Sequence, residues 1–141
     1  LIKSRVRLTL TVHDDGVRSA VYSPDGDRIV TASDDKTAKV WDTETGKELM
    51  TLKGHDDWVY SAAWSPDGQW IVTASSDKTA KVWDANTGKE LMTLKGHEGG
   101  INSAVYSADG SRIVMGSSDI TARVWDANTH KELIQMIGVE C

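Results

Sequence analysis

Four residue types that could do chemistry recur together at a fixed spacing. His13, Thr31, Asp35 and Trp41 are followed 42 residues later by His55, Thr73, Asp77 and Trp83. A further 42 residues on stand His97, Asp119 and Trp125, with Met115 in the place of the threonine. A histidine–aspartate pair beside a hydroxyl has the composition of a general-base relay. Histidine with carboxylate is also metal-ligand chemistry. Repetition argues against both, because catalysis needs one centre, and a set repeated in every unit fits an internal frame in which each buried polar group finds a partner. The single cysteine, Cys141, builds neither a thiolate cage nor an internal disulfide. The glycines fall in hairpin turns, so no phosphate-cradling loop is present, and no serine sits on a strand-to-helix elbow. The sequence therefore predicts a non-enzyme without cofactor or metal.

The elements that must position these side chains follow from the repeat itself. Residues 13–54 laid over 55–96 agree at 33 of 42 positions, and 55–96 laid over 97–138 agree at 23, without a gap. A period of 42 suits a unit of four short strands. In the middle unit Val59–Trp64 alternates as a first strand, Ser65-Pro66-Asp67-Gly68 makes a tight turn, and Trp70–Ser75 is a second, β-branched strand. Ser76-Asp77-Lys78 turns the chain into a third strand over Thr79–Trp83, and Asn86-Thr87-Gly88-Lys89 turns it into a fourth over Glu90–Lys95. No segment carries a helical apolar period.

Charge and length narrow the partners. The chain has 141 residues, 16 basic and 21 acidic, and a formal charge of −5. Without a concentration of positive charge to neutralise phosphates, no nucleic-acid partner is expected. No apolar stretch approaches the roughly 18 residues that span a membrane, and Leu1–Val12 lacks the continuous apolar core of a signal peptide, so no membrane association is expected. One terminal thiol suits a reducing, cytoplasmic (intracellular) setting.

Gly-His, Ser-Pro-Asp-Gly, Ser-Asp-Lys-Thr and Val-Trp-Asp, in that order and in three in-phase copies, resemble the WD40-repeat signature over essentially the whole chain. The resemblance implies an all-β fold of four-stranded antiparallel propeller blades, three per chain. In that family the repeat is offset from the blade, the outermost strand coming first. Residues 1–141 then form a single WD40 region, with an extra N-terminal outer strand over 5–12, blade one over 13–53, blade two over 55–95 and blade three over 97–138. The resemblance also gives the recurrent residues a role: the Trp indole donates, the Thr hydroxyl relays, and His and Asp close a buried chain of hydrogen bonds within each blade. Met115 interrupts that chain in blade three, where Ala108, Ile120 and His130 also replace the Pro, Lys and Gly of the other turns. Blade three is expected to be the least stable.

The implied function is a protein-interaction scaffold that binds a peptide or protein partner. Near-identical repeats invite attention to the nine positions where units one and two differ. Gly16 stands against Trp58, Arg18 against Tyr60 and Asp34 against Ser76, and unit three supplies Gly100, Asn102 and Ser118 at the matching places. The resemblance puts these positions on the top face of the ring. A constant scaffold with a varying rim is how a binding surface on a rigid frame would look. Trp58 and Tyr60 lead, because such aromatics dominate interface energetics. Trp64 aligns with Tyr22 and Tyr106 and is expected between blades. Trp70 aligns with Arg28 and Arg112 and receives no role.

Propellers typically close with about four to eight blades. Three would expose two lateral faces, expected to be lined by Val21, Ile29, Val30, Ile113 and Val114. Head-to-tail self-association is one way to close the ring, and a dimer giving six blades is favoured. The alternatives are a purely architectural self-assembling module or a piece of a larger WD40 protein. Four outer-strand segments for three blades, Arg5–Val12, Lys47–Lys53, Lys89–Lys95 and Lys131–Gly138, imply that the first and last compete for one place or that one of them is displaced.

Overall fold

The structure is a computed structural model and describes residues 13–138. The outer strand expected over 5–12 lies outside the described residues. Among the described residues twelve strands form three separate four-stranded sheets. Sheet one holds β1 (Val17–Tyr22), β2 (Arg28–Ser33), β3 (Thr37–Asp42) and β4 (Glu48–Lys53). Sheet two holds β5 (Val59–Trp64), β6 (Trp70–Ser75), β7 (Ala80–Asp84) and β8 (Glu90–Leu94). Sheet three holds β9 (Ile101–Tyr106), β10 (Arg112–Ser117), β11 (Thr121–Asp126) and β12 (Glu132–Ile137). Each is an antiparallel meander in sequence order. In sheet two, β5 and β6 occupy the ranges read from the alternation, β7 starts and ends one residue later, and β8 ends one residue earlier.

The turns explain why the strands stop where they do. Between β5 and β6, Ser65 Oγ donates to Asp67 Oδ1 at 2.7 Å and the Gln69 amide to the same oxygen at 3.0 Å. Gly68 completes the turn at a φ of 73°, where a Cβ is strained. Between β10 and β11 the corresponding strain is not avoided. Ile120 sits at a φ of 70°, a left-handed conformation that costs a β-branched residue about 1–2 kcal/mol.

Each sheet has two apolar faces, separated by the period-2 alternation of its strands. Val30, Ala32, Ala38, Val40 and Leu52 of sheet one pack against Val59, Ala62, Trp64, Ile71 and Trp83 of sheet two. Val72, Ala74, Ala80, Val82 and Leu94 of sheet two pack in the same way against Ile101, Ala104, Ile113 and Trp125 of sheet three. Each sheet thus presents one face forward and one backward. The outer faces are open among the described residues. On the backward face of sheet one, Tyr22 is 62% exposed and Val17 55%. On the forward face of sheet three, Val105, Ile134 and Met136 are each nearly half exposed.

This arrangement corrects the list of open-face residues drawn from the sequence. Val30 and Ile113 are fully buried inside the two junctions. Val21 pairs in register with Val30 and so faces sheet two. Ile29 and Val114 alone of the five lie on the outer faces, because a one-residue step along a strand reverses the face.

Candidate functional site

The recurrent His, Thr, Asp and Trp meet inside each sheet. In sheet one His13 bonds Asp35 through Nδ1 at 2.8 Å and Thr31 Oγ1 through Nε2 at 2.6 Å, and Trp41 Nε1 donates to the same hydroxyl at 3.0 Å. Sheet two repeats this with His55, Asp77, Thr73 and Trp83 at 2.8, 2.7 and 2.9 Å. Gly54 lets the loop before His55 pass close, since a Cβ there would lie 3.1 Å from the Trp83 ring and 2.7 Å from Glu90 Oε1. Burial pushes the Asp35 carboxyl up, but hydrogen bonds from Thr37, His13 and the Asp14 amide outweigh it and hold it down to about 2. Asp77 and Asp119 are lowered by the same balance of burial against donors. The histidine side chains are almost completely enclosed. In sheets one and two these groups spend their hydrogen-bonding capacity on one another.

Sheet three keeps the His97–Asp119 bond at 2.9 Å and brings Thr121 Oγ1 to 2.8 Å from the same ring nitrogen, where the equivalent contacts of sheets one and two are 3.5 Å. Met115, fully buried, replaces the relay hydroxyl. His97 Nε2 and Trp125 Nε1 consequently lie buried with no partner among the described residues.

The variable positions lie at the other end of the inner strands from the Ser-Pro-Asp-Gly turn. Register shifts in β1 between Val17 and Ser19, in β5 between Val59 and Ser61, and opposite β9 make Arg18, Tyr60 and Asn102 the extra residues of three equivalent bulges. A bulge re-aims its side chain out of the pleat. The loops beside them are pinned alike: the amides of Asp34, Ser76 and Ser118 donate to the carbonyls of Gly16, Trp58 and Gly100 at 2.9, 2.9 and 3.1 Å.

Four of the nine rim residues, Arg18, Asp34, Trp58 and Tyr60, form one cluster across the first junction. Arg18 grips Asp34 in a fork, Nε to Oδ1 at 2.7 Å and Nη2 to Oδ2 at 3.1 Å. Its guanidinium lies 5.0 Å from the Trp58 ring centroid and 5.7 Å from that of Tyr60. The two rings meet edge to face, 6.4 Å apart at 82°. Arg18 is raised above its usual value, chiefly by its hydrogen bond to Asp34. Trp58 nonetheless stays 43% exposed.

The remaining positions frame this cluster. Gly16 leaves room beside Asp34 Oδ2, Gly100 lets β9 approach the Ser76 backbone, and Asn102 and Ser118 are exposed on a rim without an aromatic. The bulges and the cross-junction contact were not visible in the sequence, although Val-Arg-Ser and Val-Tyr-Ser at matching places are their only trace. Trp64 sits between sheets one and two, donating its indole N–H to the Val21 carbonyl at 3.1 Å. Trp70 stands at the opposite end of the strands from Trp58, at the junction of sheets two and three.

A family model described as "WD domain, G-beta repeat" matches residues 4–42, 46–84 and 88–126. The chain is 50% identical over 38 residues to vegetative incompatibility protein HET-E-1 of Podospora anserina, covering 27% of this chain and 3% of that protein. It is 56% identical over 34 residues to periodic tryptophan protein 2 of Saccharomyces cerevisiae, covering 24% of this chain and 4% of that protein. Among solved structures it is similar to the RRP9 WD40 repeats and to U3-55K, each with a TM-score of 0.88, 23% identity, and coverage of 92% of this chain and 41% of the other. At that identity the likeness is one of fold. The chain spans about two fifths of those solved chains and a few per cent of the curated relatives.

Proposed function

The chain belongs to the WD40-repeat family, and on that premise we propose that it is a non-enzymatic scaffold that docks a peptide or protein partner on the rim built by Arg18, Asp34, Trp58 and Tyr60. The observation that carries this reading is the cation–π and edge-to-face cluster that straddles blades one and two while Trp58 keeps a large exposed surface. A monomeric frame gains little from an exposed tryptophan, whereas an interface gains a rigid anchor. Asp34 already pairs the Arg18 charge, so the cluster is organised before a partner arrives and loses little side-chain freedom on binding. The favoured epitope is an apolar or aromatic side chain laid on Trp58 and Tyr60, with flanking polar groups reaching Asn102 and Ser118.

Selection of a displayed linear-peptide library on the immobilised chain tests this. Enriched peptides should lose at least tenfold in affinity when Trp58 and Tyr60 are both changed to Ala, with the far-UV β signature unchanged. Peptides that bind the double variant at full strength, or a selection that enriches nothing, would overturn it.

The open apolar faces support a second reading, in which copies also associate head to tail through the backward face of blade one and the forward face of blade three.

A further inference from the structure

The two blade junctions are built from equivalent residues and are filled differently. At the first, Arg28 crosses the gap. Its Nη1 donates to the Ala85 carbonyl at 2.6 Å, its Nη2 to the Gly68 carbonyl at 3.4 Å, and its guanidinium lies 4.9 Å from the Trp64 ring centroid. Forty-two residues on, those four places are held by Trp70, Ala127, Gly110 and Tyr106. All four line a groove of about 390 Å3 at the second junction. Trp70, 38% exposed, forms one wall and supplies no guanidinium.

A second replacement changes the lining of the gap. At the first junction Gly88 lets Met50 close down, since a Cβ there would stand 3.4 Å from Met50 Sδ. In blade three His130 holds that place at a φ of 63°, and both it and Met92 line the groove. Leu91 and Val82 complete an apolar floor. Trp70 also lines an adjoining cleft, which shares Gly110 and Asn128 with the groove and adds Asp67 and Asp109. The turn hydrogen bonds to both carboxylates go to Oδ1, and Oδ2 takes none of them. Among the described lining residues of the two clefts there is no Lys or Arg.

We propose that this groove is a binding site for an arginine side chain presented by a peptide or protein partner, seated where Arg28 sits in the first junction. The guanidinium lies flat against Tyr106, beside Trp70, with its N–H groups directed at the Ala127 and Gly110 carbonyls. Its aliphatic stem rests on Leu91 and Met92, and Asp67 and Asp109 face its charge. Arginine suits this better than lysine, because a planar, weakly hydrated fork can stack on a ring and serve two carbonyls together. The site stands at the opposite end of the strands from Trp58 and Tyr60 and does not depend on them.

The test uses the peptide acetyl-Leu-Arg-Leu-amide, with citrulline and alanine in place of arginine as controls, followed by NMR of the 15N-labelled chain. The expected result is saturable shifts of the Trp70 indole and Ala127 amide signals by the arginine peptide. Affinity should fall at least tenfold for citrulline, which keeps the shape and loses the charge. Trp70→Arg installs a residue that blades one and three already carry at this place, so the fold is retained, and the Ala127 shift should disappear because the groove is filled from within. The Trp58→Ala, Tyr60→Ala double variant should bind this peptide as the parent does. Equal binding of the citrulline peptide, undiminished shifts at Ala127 in Trp70→Arg, or the absence of a saturable shift would each overturn the proposal.

Discussion

At the scale of single residues, one hydroxyl separates the inner frame of blade three from those of its neighbours. Thr73 accepts from the Trp83 indole and bonds His55 Nε2, while Met115 leaves the equivalent His97 and Trp125 nitrogens buried without partners. A buried polar group left unpaired costs about 1–3 kcal/mol. Thr73→Val keeps the shape and removes the hydroxyl, so it should lower unfolding stability by about 2 kcal/mol or more, read as a lower urea midpoint at unchanged slope. A midpoint equal to the parent's would deny the relay any structural weight. The paired aspartates make a second prediction. Asp35 is held down to about 2 in the folded chain, against about 3.9 for an unfolded carboxyl. The folded state therefore binds protons later than the unfolded state as pH falls. The stability contributed by Asp35 is complete above about pH 5 and is lost as pH drops from about 4 toward 2, and that of Asp77 and Asp119, held lower still, goes on being lost beyond it. Melting temperatures at pH 7, 4 and 3 check this, and a flat profile down to pH 3 would contradict it. The types and spacing of these residues were legible in the sequence because every copy carries them. The contact of Arg18 with Trp58 was not, because it joins two repeats through bulges that no local pattern announces.

At the scale of elements, the strands were legible because turn residues bound them. Ser65, Pro66, Asp67 and Gly68 end β5 whatever surrounds them, and the alternation in Trp70–Ser75 needs only its own side chains. Which face of a strand meets which neighbour was less legible. Val30 and Ile29 are adjacent and equally apolar, and only the stacking of sheets decides that Val30 is buried against sheet two. The groove beside Trp70 was hidden for a similar reason, since its meaning rests on what Arg28 does one blade earlier. Blade three gathers several local costs: three unpaired buried nitrogens, on His97, Arg123 and Trp125, Ile120 in a left-handed turn, and a forward face exposed along β12. Amide exchange should therefore be fastest in β10 to β12 and slowest in β5 to β7, which are packed on both sides. Met115→Thr should slow exchange in β10 and β11 by restoring the relay, with a net gain of only about 1 kcal/mol because buried methionine contacts are given up in return. Exchange slowest in blade three would refute this ordering.

At the scale of the whole molecule, the pairing of a forward face with a backward face occurs twice within the chain and is available once more at its two outer faces. Val105, Ile134 and Met136 occupy the places that Val21, Met50 and Leu52 hold in blade one. Tyr22 and Ile29 occupy those of Trp64 and Ile71 in blade two. Arg112 is exposed at the place from which Arg28 reaches Trp64, Gly68 and Ala85. In a second copy docked head to tail it would meet Tyr22, Gly26 and Thr43. Covering a row of half-exposed Val, Ile and Met side chains supplies the driving force, at roughly 25 cal/mol for each Å2 removed from water, and Arg112 supplies the register. If rotation closes after two copies, the assembly carries six blades, within the usual range. Light scattering on the eluting chain should then give twice the single-chain mass of 15.4 kDa, and no higher series. Met136→Glu, which places charge in the middle of the exposed face while leaving both internal junctions intact, should return the mass to that of one chain. A single-chain mass for the parent would remove head-to-tail closure from the account, and an open-ended series of masses would show that the rotation between blades does not close.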